Sequence, residues 1–366
     1  MNLINLIKKF KRPYLFTTPS HNGVGFGEFA KFVGQKVFGC DFSEIDGFDN
    51  IRNPQGVLKN SQEKAAEIYD SKASFYLYNG STSGILALML SVLNENDKVL
   101  IPRNSHISVL NGLILSRAEG VFLEPEYDSD FDVPRPISPS LIESELFEDK
   151  DIKAVILTSP TYEGIVSDIE TIATICKAHS VVLIVVEAHG ALWNFSEKLP
   201  TPAIAFGADA SVQSLHKTAG ALTQSSILHI SKGSKISRRK VQKSLNLINS
   251  TSPSYLLLAS IESSIDFLSS KKGALELDKI LKEILKIREK LSKIKGVKLF
   301  ENDDFTKIFV KIEGFSGYKL SEKLSEYNIE DELANEQGFL LLCGLGTSKD
   351  KLDKLYKAVK KIAENC

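Results

Sequence analysis

Cysteine is scarce in this 366-residue chain, with Cys40, Cys176, Cys343 and Cys366 the full complement. None forms a Cys-x-x-Cys pair and none falls in a metal-ligand spacing, so neither a metal site nor a disulfide framework is expected. Free, mostly buried thiols in a reducing compartment are the expected state. An excess of one charge is also missing: 45 Lys and Arg stand against 46 Asp and Glu, for a net charge of -1. That balance removes any general electrostatic case for nucleic acid or an anionic membrane as partner. No apolar run approaches the ~20 residues of a membrane span. The opening Met1 to Lys9 is amphipathic and lacks the apolar core and cleavage site of a signal peptide. A soluble, cytoplasmic protein is expected. There is no internal repeat and no low-complexity tract, and the dense lysines after Lys271 are interleaved with acids, as on solvated helix faces.

What is present is an ordinary globular composition, 43% hydrophobic and 25% charged, in a chain long enough for a large domain and a smaller one. Residues 1 to about 55 read as an irregular arm, rich in Gly and Pro punctuation. Strand candidates at 74–78, 98–102, 121–123, 154–158, 181–186, 210–213 and 226–230 alternate with helix candidates at 58–69, 85–93, 108–117 and 168–179. Alternation with short turns means a parallel α/β sheet. The strands at 154–158 and 181–186 are continuously apolar, as strands covered on both faces are. Residues 125–140 are acidic and Pro-rich, and read as a loop. Beyond 236 the pattern turns helical, at 256–268 and 274–294. Strands at 307–312 and 338–343 then flank a helix at 318–327, and an amphipathic helix at 349–364 closes the chain.

Several turns carry chemistry. Lys217 follows the 210–213 strand and is flanked by His216 and by Ser214 and Thr218. A lysine placed so can serve as a Schiff-base residue if burial lowers its pKa. The Gly80-Ser81-Thr82-Ser83-Gly84 turn opens an apolar helix. It reads equally as a plain cap or as an anion site, where free N–H groups, the helix dipole and hydroxyls converge. It is no Walker loop, because no Gly-Lys-Ser/Thr follows. His106 stands at a strand-to-helix turn, on the edge where parallel α/β sheets bind ligands.

In order, Asn79-Gly80-Ser81-Thr82-Ser83-Gly84, Arg103-Asn104-Ser105-His106, Thr158-Ser159-Pro160-Thr161-Tyr162, Glu187-Ala188-His189-Gly190, Ser214-Leu215-His216-Lys217 and Ser250-Thr251-Ser252-Pro253-Ser254-Tyr255 resemble the Orn/Lys/Arg decarboxylase family. The resemblance runs from about Thr17 to the C-terminus. It implies pyridoxal 5'-phosphate (PLP) as cofactor and the aspartate-aminotransferase fold (fold type I), with a mainly parallel seven-stranded sheet in the large domain. It further implies an arm (1–56), a large PLP-binding domain (57–250), and an interdomain helix with a small C-terminal α/β domain (251–366). Lys217 would carry the cofactor as a Schiff base, with His106 and His216 as the other catalytic residues. Ser81, Thr82, Ser83, Ser214 and His216 would hold the phosphate and His106 would stack on the ring. Thr158 and His189 would complete the cofactor contacts. Thr251 or Ser252 would reach the phosphate of the second subunit in a homodimer with shared active sites. The implied reaction is loss of CO2 from lysine, ornithine or arginine to give an amine, a step of amino acid and polyamine metabolism.

The chain departs from the family's pattern in three places. Where members read Val-Asp-Glu-Ala-His-Gly, this chain reads Val185-Val186-Glu187-Ala188-His189-Gly190. The aspartate that pairs with the pyridine nitrogen is therefore replaced by Val186, which cannot hold that nitrogen protonated. Glu187 points to the opposite strand face unless a bulge re-aims it. The family's Pro-Gly-His-Lys is Pro19-Ser20-His21-Asn22 here, and the chain stops at Cys366 with little or none of the C-terminal domain of longer members. The decarboxylase reading therefore stands beside two others: a PLP enzyme of different outcome, and a degenerate PLP-binding subunit.

Overall fold

The computed structural model describes residues 2–10 and 14–364, so Cys366 lies outside the described residues. The arm, expected to be irregular, carries three short helices: α1 (Leu3–Lys9), α2 (Gly27–Val33) and α3 (Gln35–Gly39). Helices this short are not stable alone and exist only where a partner satisfies their ends. For α1 that partner is Glu262, whose carboxylate accepts the N–H groups of Leu3 and Ile4, each at 3.0 Å. Leu3 is fully buried beneath the turn.

Next come α4 (Val57–Ile68), β1 (Ala73–Leu77), α5 (Gly80–Val92), β2 (Lys98–Pro102), α6 (Ile107–Ser116) and β3 (Glu119–Leu123). The expected loop over 125–140 instead holds a two-stranded ribbon, β4 (Tyr127–Asp128) and β5 (Val133–Pro134), and runs into α7 (Pro139–Glu148). Ser138 caps α7 through its hydroxyl, and Pro139 occupies the first helical turn, where its missing N–H costs nothing. The series continues with β6 (Ile152–Thr158), α8 (Ile169–Ala178), β7 (Val182–Val186), β8 (Ala210–Gln213), α9 (Leu215–Thr218), β9 (Ser226–Ile230) and α10 (Arg238–Ile248).

The large sheet has seven strands in the order β1-β9-β8-β7-β6-β2-β3. From β8 to β3 every pairing is parallel, while β9 runs antiparallel to both β8 and β1. The expected mainly parallel seven-stranded sheet is what forms. One face packs Ile156, Ile184, Val186 and Val212 against Ile85 and Leu88 of α5. The other packs Val155, Leu157, Leu183 and Val185 against Ile142 and Ile172 of the covering helices. The parallel arrangement brings the ends of β2, β6, β7 and β8 to one edge, and Lys217 follows β8 on that edge.

After α11 (Tyr255–Leu268) and α12 (Lys271–Ser292), a second sheet forms from β10 (Val297–Leu299), β11 (Lys307–Ile312), β12 (Leu333–Ala334) and β13 (Phe339–Leu342). It is antiparallel, in the order β10-β11-β13-β12. Two helices accompany it, α13 (Gly317–Glu326) and α14 (Lys349–Glu364). A single apolar cluster joins Leu281 and Ile284 of α12, Ile308 and Val310 of β11, and Leu58 of α4. The turn before β11 thereby lies against the functional edge of the large sheet. Among the described residues, no helix is long and apolar enough to cross a membrane.

Candidate active site

Helix α5 begins at Gly80, so Ser81, Thr82 and Ser83 form its first turn and do not precede it as a separate loop. First-turn N–H groups have no partner within their helix and are open to an anion. Gly80 takes φ +73, a backbone conformation open to glycine, and enters the turn directly from Asn79. A Cβ at Gly84 would lie 2.5 Å from a Leu77 methyl and 3.1 Å from Val212, so only glycine lets the turn sit this close to the sheet. The Ser81 and Ser214 hydroxyls meet at 2.8 Å. Thr82 is exposed. Ser83 is buried and spends its hydroxyl on the Gly80 carbonyl at 2.8 Å, which leaves its side chain unavailable to a phosphate.

Lys217 sits in α9, a single turn opened by Ser214. Its Nζ lies 2.7 Å from Nε2 of His189 and 5.1 Å from the centre of the Tyr162 ring. The Tyr162 and His189 rings contact each other at 4.4 Å. Burial pulls Lys217 down to about 8; the Glu332 carboxylate opposes that pull and the Lys307 ammonium adds to it. Burial also holds His189 well below the usual imidazole range, helped by the charge on Lys217. A neutral His189 accepts from Lys217 through Nε2, which places its own proton on Nδ1, a buried atom with no partner among the described residues.

His106 caps α6 and is exposed; its Nδ1 accepts the Ser108 N–H at 3.1 Å. Its pKa is lowered by partial burial and by the nearby Lys217 charge. His216 donates through Nδ1 to the Ser225 carbonyl at 3.1 Å, which fixes its ring beside the lysine turn. Thr158 ends β6 with its hydroxyl buried and without a partner among the described residues, as are the hydroxyls of Thr218 and Ser225. Orphaned buried hydroxyls are rare unless a ligand or water meets them.

Val186 is paired across the sheet with Thr158 on one side and Val212 on the other. It is buried among apolar neighbours. No bulge follows it: the Glu187 N–H donates to the Val212 carbonyl at 3.0 Å, continuing the ladder. The Glu187 carboxylate turns to the other face, where it accepts the Ala203 N–H and the Gln213 amide, each at 2.7 Å. Burial pushes it up to about 7. Among the described residues, Glu187 does not take the place of the expected aspartate.

The first turn of α5, the paired hydroxyls, the half-buried amine and the orphaned hydroxyls suit a phosphorylated aldehyde; Val186, at the position expected to face the ring nitrogen, carries no acid. Thr251 and Ser252 are exposed before α11, outside this cluster. Tyr162 lies within one of the sequence motifs but has no role assigned by it. The motifs do not include Glu332, Asp304 or Lys307, which come from the second sheet and its turns, far along the chain and without a local signature.

The Orn/Lys/Arg decarboxylase major-domain model matches residues 4–312. The arginine decarboxylase of Bacillus subtilis is 32% identical over 373 residues, covering 97% of this chain and 75% of that protein. The arginine decarboxylase of Halalkalibacterium halodurans is 31% identical over 367 residues, covering 96% of this chain and 74% of that protein. Among solved structures, lysine decarboxylase A from Pseudomonas aeruginosa superposes with a TM-score of 0.87 at 20% identity. That superposition covers 99% of this chain but 59% of the larger protein, so the chain spans less than two thirds of it.

Proposed function

This chain belongs to the Orn/Lys/Arg decarboxylase family, has the type I fold and takes pyridoxal 5'-phosphate as cofactor, and on that premise we propose that it decarboxylates lysine, ornithine or arginine to CO2 and an amine. One observation carries the reading: the Lys217 amine, just past the end of β8, lies 2.7 Å from the His189 imidazole. When bound, the cofactor supplies an aldehyde that condenses with amines and a ring that withdraws electrons from the substrate's α-carbon.

The protein's residues divide the remaining work. The first turn of α5, with Ser81 and Ser214, holds the phosphate, and the exposed His106 ring is placed to stack. Lys217, whose amine has a large neutral fraction near pH 8, would be the residue that holds the cofactor's aldehyde. His189 accepts a hydrogen bond from Nζ and keeps that amine aimed. Tyr162 walls the lysine and keeps water away from it. The Nζ of Lys217, in its ammonium form, would supply the proton that the α-carbon gains in place of CO2. Glu332, exposed and within electrostatic reach of Lys217 and Tyr162, offers a carboxylate to the substrate's cationic end.

A homodimer is part of the proposal. Tyr14 and Phe16 are each 98% exposed and Phe32 is 90% exposed, an aromatic surface suited to a second copy of the chain. Exposed Thr251 and Ser252 suit the same arrangement. A cytoplasmic setting accords with the free thiols Cys40, Cys176 and Cys343.

Val186 favours a second reading, in which bound cofactor supports racemisation, elimination or transamination, or no turnover. Absorbance of the purified protein and CO2 release from each amino acid separate the two. We expect an aldehyde-adduct band that Lys217→Ala removes, together with CO2 and amine release. A band without CO2 sinks the decarboxylase reading; the absence of any band sinks the role given to Lys217.

A further inference from the structure

Asp304 lies in the turn before β11 and Lys307 is the first residue of that strand; each side chain is 1% exposed. Lys307 Nζ donates to Asp304 Oδ2 at 2.5 Å, to the His189 carbonyl at 2.8 Å and to Thr306 Oγ1 at 3.2 Å. The Asp304 carboxylate also accepts the Trp193 indole N–H at 2.8 Å and the Thr306 hydroxyl at 2.5 Å. A buried ion pair is costly to desolvate, and apolar residues of the same size often serve stability as well or better. Stability alone therefore gives little reason for this pair.

What the pair reaches is the loop that carries His189. Lys307 fixes that residue's carbonyl and Asp304 fixes Trp193 at the loop's far end. The loop between is tight: a Cβ at Gly190 would lie 2.8 Å from Glu187 Cγ and 3.0 Å from the Trp193 ring. The same turn also holds the Tyr162 segment, through Asp304 N–H to the Gly164 carbonyl at 3.0 Å and Asn302 to the Glu163 carbonyl at 2.6 Å. Residues 302–307 thus grip both walls of Lys217.

We propose that Asp304 and Lys307 are positioning residues: from the second sheet they seat the His189 imidazole against Lys217 and set one positive charge behind the reactive amine. The proposal rests on the functional reading only in taking Lys217 as that amine. Among the described residues, His189 and Tyr162 lie against Lys217, and His106, Glu332 and Lys307 are coupled to it electrostatically. Of these, Lys307 is the buried cation, and it disfavours a second ammonium.

The test titrates Lys217 without turnover. The full chain is freed of cofactor with hydroxylamine, and the rate of reductive methylation of Lys217 is followed against pH by peptide mass spectrometry. Lys307→Met should raise the midpoint by roughly half to one pH unit. The paired replacement Asp304→Asn with Lys307→Met should raise it too, and it avoids leaving a lone buried carboxylate that could unfold the protein. Asp304→Asn alone, which keeps the cation, should leave the midpoint at or below the wild-type value. An unmoved midpoint in the folded paired variant would reduce the pair to a fastener between sheets and overturn the proposal. So would a rise in Asp304→Asn equal to that in Lys307→Met, because general loosening would then explain both. Neither result depends on decarboxylation, so this proposal and the functional reading can fail separately.

Discussion

Position 186 bears most directly on the proposed reaction. Val186 lies beside Thr158 in the ladder, at the end of the strand that leads to His189, with its side chain among apolar neighbours. An acid there would sit in a dry environment, where a carboxylate paired with a ring nitrogen acts far more strongly than in water. Val186→Asp should therefore raise the decarboxylation rate about tenfold or more. It should also lower the stability of the cofactor-free protein by about 1–3 kcal/mol, since the new carboxylate is then buried without a partner. Paired CO2 assays and thermal melts check both halves. A fall in rate with cofactor bound would mean that the site uses the ring differently. At this scale the sequence was most legible where chemistry is local. Lys217, His106, Ser81 and Ser214 each lie in a short word next to a strand end, and the structure brings them to one edge. Ser83 shows the limit: its hydroxyl is drawn to a carbonyl three residues back, which composition cannot reveal.

Elements were legible in proportion to how much of their stability is local. The long apolar strands β6 and β7 and the amphipathic helices α12 and α14 were read within a few residues, because period and burial agree. The short pieces were not. Helices α1, α2 and α3 and strands β10 and β12 owe their form to partners elsewhere in the chain, and α7 was masked by an acidic, Pro-rich approach. Glu262 is the clearest case. In sequence it is one more acid in a helix, yet it is 2% exposed and also accepts the Ser61 hydroxyl at 2.6 Å. Glu262→Ala removes the acceptor for two helix N-terminal N–H groups and that hydroxyl. It should cost about 3 kcal/mol, because the groups left behind are buried or part-buried. Denaturant titration would measure the loss. Limited proteolysis should show earlier cleavage before residue 27 as α1 detaches, and an unchanged cleavage pattern would count against the docking role.

For the whole molecule, the sequence pattern supplied the order of strands and helices, but not how the second sheet folds back on the first. That return sets Asp304, Lys307 and Glu332 near residues more than a hundred positions earlier, through contacts that leave no periodic trace. Assembly is tested at the same scale. If sites are shared in a homodimer, a Lys217→Ala chain and a Thr251→Ala, Ser252→Ala chain are each inactive alone. Mixed in equal amounts and allowed to exchange, they should recover about a quarter of wild-type activity, because half the dimers then hold one intact site. No recovery despite verified exchange would place those hydroxyls outside the neighbour's site.

The grip of residues 302–307 on the lysine's walls also has a meaning in time. A ribosome that has released the seven-stranded sheet has already made Lys217, but must still synthesise the stretch up to Lys307, which takes on the order of ten seconds. During that interval the amine has its strand and helix but lacks the lining that the second sheet provides. The part of the lysine's lining that comes from the second sheet can therefore join it only after residue 307 has been made.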